Sequence, residues 1–183
     1  MESVLQKQKK IFSALKNEFD YTNQMQAPRV EAVVISTGTG KKNTDKHAMG
    51  IIEDRLLKIT GQKAAPRGAK KSIAAFKVRQ GDAIGYQVTL RGKRMYDFLE
   101  KLISIALPRA RDFRGLSVDS IDEMGNYTIG IREHTIFPET SDEDLKDVFG
   151  FSVTIVTTAK TKKEAKALLI NLGFPLQKEK QEI

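Results

Sequence analysis

Cysteine and tryptophan are absent from this 183-residue chain, which has only two histidines and five prolines. Without cysteine there is neither a disulfide framework nor a thiolate metal site, so the cytosol is the default compartment. His47 and His134 each lack a second ligand at metal-binding spacing, and no metal or other cofactor is expected. No run approaches the length of a membrane span, and Met1 to Lys10 is polar and basic where a signal peptide would be apolar. Membrane roles are therefore set aside. Acidic residues are missing from one long stretch: between Thr60 and Gly81 stand Lys63, Arg67, Lys70, Lys71, Lys77 and Arg79 with no Asp or Glu.

What is present is charge of one sign. The net charge is +8, and from Lys58 to Arg114 fourteen Lys and Arg face only Asp82, Asp97, Glu100 and Asp112. A concentration of that kind favours a polyanionic partner such as nucleic acid. Forty per cent apolar residues suffice for a core, and the length fits one domain over residues 1–183, with a basic loop at about 63–81 and a loose tail at 177–183.

Periodicity supplies the elements. Val4, Ile11, Phe12, Leu15 and Phe19 share one side of a helix from about Ser3 to Phe19. The β-branched run Val30 to Ile35 reads as a buried strand ending at Ser36-Thr37-Gly38-Thr39-Gly40. Thr44 can cap a second helix carrying Met49, Ile52, Leu56 and Ile59, and Gly61 stops it. Pro66 and Gly68 then interrupt any regular element, leaving a mobile loop. From Ile84 to Arg91 the alternation puts Ile84, Tyr86, Val88 and Leu90 on a core face and Gln87, Thr89 and Arg91 on a free one. Gly92 opens a helix with Met95, Phe98, Leu99, Leu102, Ile103 and Ala106 inward, ended by Pro108. Asn126 to Arg132 and Phe151 to Thr158 are further strands with one polar face. Thr161 and Glu164 form a capping box for a last helix, closed by Gly173 and Pro175. This order argues for an α+β fold with a mostly antiparallel sheet and helices on one face. The uncovered face is either a hydrogen-bonding surface or ordinary solvent-exposed sheet.

Gly38-Thr39-Gly40-Lys41 fails as a nucleotide-binding loop, because the motif needs Gly at Ile35 and Ser or Thr at Lys42. A phosphate-meeting turn and a simple tight turn both remain open there. The cluster Asp142, Glu143, Asp144 and Asp147 reads as a solvated helix start, and His134 before Phe137-Pro138-Glu139 as loop chemistry. The basic loop is the strongest signal, since Ile73 and Phe76 are interleaved with its cations: charges for phosphate, an aromatic to stack on a base or ribose. Arg91-Gly92-Lys93-Arg94 puts cations at the positive end of a helix, a conflict that an anion resolves. Arg109 to Gly115 is a second basic knot, either a contact or a solvated loop with an internal Arg–Asp pair.

Several ordered segments resemble the ribosomal protein L5 family: Ile59-Thr60-Gly61-Gln62-Lys63, Ala69-Lys70-Lys71-Ser72-Ile73-Ala74, Val88-Thr89-Leu90-Arg91-Gly92, Ala106-Leu107-Pro108-Arg109, Arg111-Asp112-Phe113-Arg114-Gly115, Gly125-Asn126-Tyr127, Ile136-Phe137-Pro138-Glu139 and Thr154 to Ala159. The resemblance runs from about Ala27 to Pro175. It implies a cytoplasmic, ribosome-bound, non-enzymatic protein of the large-subunit central protuberance, which binds 5S rRNA and helps attach it to the large-subunit rRNA beside neighbouring 5S rRNA-binding ribosomal proteins. It also implies contact with P-site tRNA and a bridge to a small-subunit head protein, ribosomal protein S thirteen.

On that resemblance the 5S rRNA surface falls on Gln62 and Thr89, with Arg91, Lys93 and Arg94 adjacent. Ser36, a shorter donor and acceptor, stands where the family usually has Asn, which implies a contact that is water-mediated or lost. The tRNA-contacting loop carries Arg67, Lys70, Lys71, Ser72, Phe76, Lys77 and Arg79, and the bridge Arg109, Arg111 and Arg114. The rivals are an RNA-acting enzyme, which lacks a visible metal cluster or cofactor loop, and an extraribosomal RNA chaperone or regulatory binder.

Overall fold

The computed structural model describes residues 3–40, 46–111, 113–141 and 148–177. Helix α1 (Val4–Phe19) starts where Ser3 Oγ accepts the Gln6 N–H while Gln6 Oε1 accepts the Ser3 N–H. This reciprocal cap satisfies two of the helix's orphan donors. The helix stops at Asp20, whose φ of 51° is a left-handed conformation that Asp tolerates. Strand β1 (Val30–Gly38), helix α2 (Lys46–Thr60), strands β2 (Ala65–Gly68) and β3 (Ala83–Leu90), and helix α3 (Gly92–Lys101) follow. Strands β4 (Tyr127–Ile131) and β5 (Phe151–Thr157) and helix α4 (Lys162–Leu172) complete the chain. The five strands form one antiparallel sheet in the order β2-β3-β1-β5-β4, and the fold is α+β as the patterning predicts.

The chain divides into two compact units: Met1–Val33, Arg91–Ile129 and Thr154–Ile183 in the first, Val34–Leu90 and Gly130–Val153 in the second. In the first, α1 packs on α3 and α4, burying Val4, Ile11 and Leu15 with Met95, Phe98, Leu99, Leu168, Leu169 and Leu172. Polar side chains fix this packing. Lys7 Nζ donates to the Leu172 carbonyl at 3.2 Å, where the last turn of α4 is rich in unpaired acceptors. Gln8 brackets the entry to β1, donating to the Pro28 carbonyl and accepting the Val30 N–H. At the start of α4, Thr161 caps the Glu164 N–H, but the Glu164 carboxylate accepts from the Lys160 N–H and the Tyr21 hydroxyl. The expected cap is thus shared with the segment after α1.

Tyr127, on β4, is fully buried and donates its hydroxyl to the Ser117 carbonyl at 3.0 Å. Burial pushes its pKa from 10.0 up to about 12. The unfolded chain therefore ionises this group first, and its contribution is complete below pH 10 and lost as the pH rises from 10 to about 12. Tyr127→Phe is expected to flatten the fall of stability in that window by up to roughly 1.4 kcal/mol per pH unit, measured by urea unfolding at pH 9 and pH 11.5. An unchanged slope would contradict this.

Four readings of the sequence need correction. Pro66 and Gly68 do not prevent regular structure: they lie in β2, an antiparallel partner of β3 with Pro66 opposite Tyr86. The strand is at the sheet's edge, where a missing N–H costs least. Ile84 is not core but 38% exposed, preceding the buried series Tyr86, Val88 and Leu90. Pro108 does not end its helix, which continues from Lys101 through a π turn at Leu102–Ala106 into Leu107–Arg109. There the Leu107 N–H reaches back five residues to the Leu102 carbonyl. That widened turn accommodates a proline ring that has no N–H for the carbonyl four residues earlier. His134 is not an exposed loop group; it is 1% exposed, stacks on Phe149 at 4.4 Å and accepts the Phe149 N–H at Nδ1. The capping role of Thr44, the acidic cluster Asp142 to Asp147, Lys41 and Lys42, the Asp112 pair and the tail beyond Gln177 lie outside the described residues.

Candidate nucleic-acid interface

In the second unit the strands alternate cleanly. Ile35, Tyr86, Val88, Leu90, Phe151 and Val153 are buried, while Ser36, Gln87, Thr89 and Ser152 are half-exposed at the alternate positions. The pleat therefore turns a row of hydroxyl and amide groups outward. The row is cross-linked. Arg67 Nε donates to Gln87 Oε1 at 2.6 Å, and the Ser36 and Ser152 hydroxyls lie 2.8 Å apart. Arg67 thus extends the polar face from β2 and is distinct from the loop's tip.

Gln62 follows the helix stop. Gly61 takes a φ of +68°, a conformation glycine adopts without a Cβ penalty, and its N–H closes on the Leu57 carbonyl. The Thr60 hydroxyl bonds to the Leu56 and Gln62 carbonyls and accepts the Gln62 N–H. So held, Gln62 donates from Nε2 to the Thr89 carbonyl at 3.2 Å. Two positions 27 residues apart are brought together, and the Gln62 carbonyl oxygen and second N–H stay available to a ligand.

The basic loop is shaped along its length. The Ala69 N–H donates to the Asp82 carbonyl and the Gly81 N–H to the Ala69 carbonyl, which sets Gly68 against the backbone of Gly81. A Cβ on Gly68 would lie 3.2 Å from the Gly81 carbonyl oxygen. Farther out, Ile73 and Val78 pair in an isolated bridge, Ser72 Oγ accepts the Gln80 N–H, and the Asp82 carboxylate accepts the Arg79 N–H. A 3-10 turn, Ala74–Phe76, forms the tip. Phe76 is 73% exposed, and Lys77 follows it with a φ of +53°. Lys70, Lys71, Lys77 and Arg79 are exposed without an ion pair among the described residues. Lys63, by contrast, pairs with Glu53 of α2 at 3.3 Å and does not belong to this free set.

Arg91, Lys93 and Arg94 belong to the first unit and are exposed at the opening turn of α3, where Arg91 occupies the cap position without a side-chain cap bond. Arg109, Arg111 and Arg114 are also exposed there. Their loop is tied down at one end: the Leu116 N–H donates to the Pro175 carbonyl, and Gln177 Nε2 to the Arg114 and Gly115 carbonyls. Gln177, the first residue of the expected loose tail, is exposed but hydrogen-bonded to this loop.

Residues 23–79 match the family described as ribosomal protein L5, and residues 83–176 match the ribosomal L5P family C-terminus. This chain belongs to the ribosomal protein L5 family. It is 53% identical over 169 residues to the large ribosomal subunit protein uL5 of Ureaplasma urealyticum, covering 92% of each chain. The same protein of Flavobacterium johnsoniae is 50% identical over 169 residues, again covering 92% of each. The match to the L5 family spans both the polar sheet face and the basic loop.

Sequence reasoning missed Ser152. Its signal was present, because Phe151 to Thr157 alternates and Ser152 occupies an outward position like that of Ser36. What the sequence lacked was the β1–β5 adjacency.

Proposed function

We propose that this chain is a structural, non-catalytic constituent of the large ribosomal subunit, cytoplasmic and ribosome-bound, that holds 5S rRNA and helps attach it to the large-subunit rRNA. The observation that carries the reading is the Gln62–Thr89 tie on an outward polar sheet face. It presents fixed donors and acceptors of the kind that read RNA by shape, ribose and phosphate. Ser36, Gln62 and Thr89 form this surface in the second unit, and Arg91, Lys93 and Arg94 of the first unit make phosphate contacts of their own. The relatives' name as large-subunit proteins supports the assembly assigned here.

The loop serves a second RNA. Lys70, Lys71, Lys77 and Arg79 neutralise phosphates of P-site tRNA, Ser72 shapes the approach, and Phe76 offers a stacking face. Arg67 supports the loop from β2. Arg109, Arg111 and Arg114 reach the small-subunit head protein, ribosomal protein S thirteen, with neighbouring 5S rRNA-binding proteins completing the assembly. Filter binding to labelled 5S rRNA at physiological salt, with tRNA and scrambled RNA as competitors, tests the first assignment. Retention of 5S rRNA against both competitors is expected; equal competition by all three would reduce the protein to a generic basic RNA binder.

A further inference from the structure

The Ser36–Ser152 pair has a hydrogen balance that restricts what it can bind. Each hydroxyl has one proton and two lone pairs. Ser152 Oγ donates to the Ser36 carbonyl at 3.3 Å, which uses the Ser152 proton. Either hydroxyl can donate in the 2.8 Å bond between them, and both bonds form together only when that proton comes from Ser36. Both protons are thereby consumed within the pair. Ser36 Oγ keeps two open lone pairs and Ser152 Oγ one, at half-exposed positions between buried Ile35 and Thr37 and between buried Phe151 and Val153.

We infer that this pair is an acceptor-only element of the RNA surface, which takes a nucleotide hydrogen-bond donor and turns away phosphate oxygens. RNA offers two such donors, the ribose 2′-hydroxyl and the exocyclic amino group of a base. Phosphate oxygens are acceptors, and meeting one here would break a bond within the pair. The element thus contrasts with the cationic loop, whose chemistry suits phosphate. It discriminates by the absence of a donor, and a missing partner is costly where polar groups are part-buried. The inference rests on the sheet face being the 5S rRNA surface.

The test uses the full chain and 5S rRNA assembled from synthetic pieces with one altered nucleotide at a time. One series carries 2′-deoxyribose, a second carries base analogues lacking one exocyclic amino group, and a third carries methylphosphonate. With the wild type, loss of one donor is expected to weaken binding by about three- to tenfold, the worth of a single hydrogen bond. With Ser36→Ala that same alteration is expected to have no further effect, and with Ser36→Thr the penalty returns. Ser36→Ala leaves the Ser152 proton on the Ser36 carbonyl, so no donor is orphaned and the thermal midpoint should hold.

The first series responding identifies a ribose hydroxyl, and the second a base amino group. Penalties that stay equal in wild type and Ser36→Ala throughout, or coupling of Ser36 to methylphosphonate, would overturn the inference while leaving 5S rRNA recognition intact. Failure of the wild type to prefer unmodified 5S rRNA over scrambled RNA would overturn the underlying reading and the inference with it.

Discussion

Gly85→Ala is expected to lower stability by about 3 kcal/mol, at the upper end of overpacking penalties. The Cβ it introduces would stand 2.5 Å from the Thr37 carbonyl oxygen and 3.5 Å from Gly38 Cα. These are backbone atoms of the neighbouring strand β1, and a rotamer change cannot clear them. Either β3 and β1 separate or the register breaks. For a chain of this length that corresponds to a fall of about 10 °C in thermal midpoint. Gly50→Ala provides the contrast, since its Cβ meets nothing within 4 Å on an exposed position of α2. Gly50→Ala should raise stability slightly, by up to about 1 kcal/mol. Equal midpoints for the two variants in a thermal melt would show that the strands have slack that the close approach denies. Gly85 also lies opposite Arg67 in the β2–β3 register, so separation there should disturb the Arg67–Gln87 bond and reduce RNA binding with stability.

Neutralising the loop should have the opposite profile. Replacing Lys70, Lys71, Lys77 and Arg79 by alanine together removes four exposed cations that hold no ion pair among the described residues. No packing is lost, and the thermal midpoint is expected to stay within about 0.5 kcal/mol of wild type. Affinity for tRNA should fall, and the slope of log affinity against log salt should flatten by roughly three units, near the value for four lost phosphate contacts. Binding to 5S rRNA should change little, because the surface proposed for it is built on Gln62, Thr89 and Ser36 and includes none of the four cations. A salt titration with each RNA separates the outcomes. If the variant lost 5S rRNA binding and kept tRNA binding, the two surfaces would have been assigned the wrong way round.

The elements legible in the sequence are those whose signals are local. The helical spacing of Val4, Ile11 and Leu15 and the cap at Thr161 lead directly to α1 and α4. The alternation around Tyr86, Ile129 and Val153 leads to three strands with polar outer faces. Elements set by tertiary context were less visible. Proline at 66 argues against a strand unless the strand's edge position is known, and the sheet order alone supplies that. The π turn before Pro108 depends on how a helix accommodates a missing donor, which periodicity does not encode. His134 lacks any sequence sign that Phe149, fifteen residues away, will cover it.

The candidate site divides in the same way. Its cations could be counted, and the absence of acid between Thr60 and Gly81 marked the loop. Gln62 and Thr89 entered singly, both through the family resemblance and Thr89 also through the strand alternation, whereas the hydrogen bond between them appears only in the fold. The Ser36–Ser152 pair needed the strand adjacency, because residues 116 apart carry no periodic relation.

The most direct measurement of the central claim is the ratio of 5S rRNA to large-subunit rRNA in large subunits purified from cells depleted of this protein. The ratio is expected to fall in step with the protein and to recover on re-expression of the wild-type chain. Large subunits that lack the protein yet retain a full complement of 5S rRNA would contradict the claim.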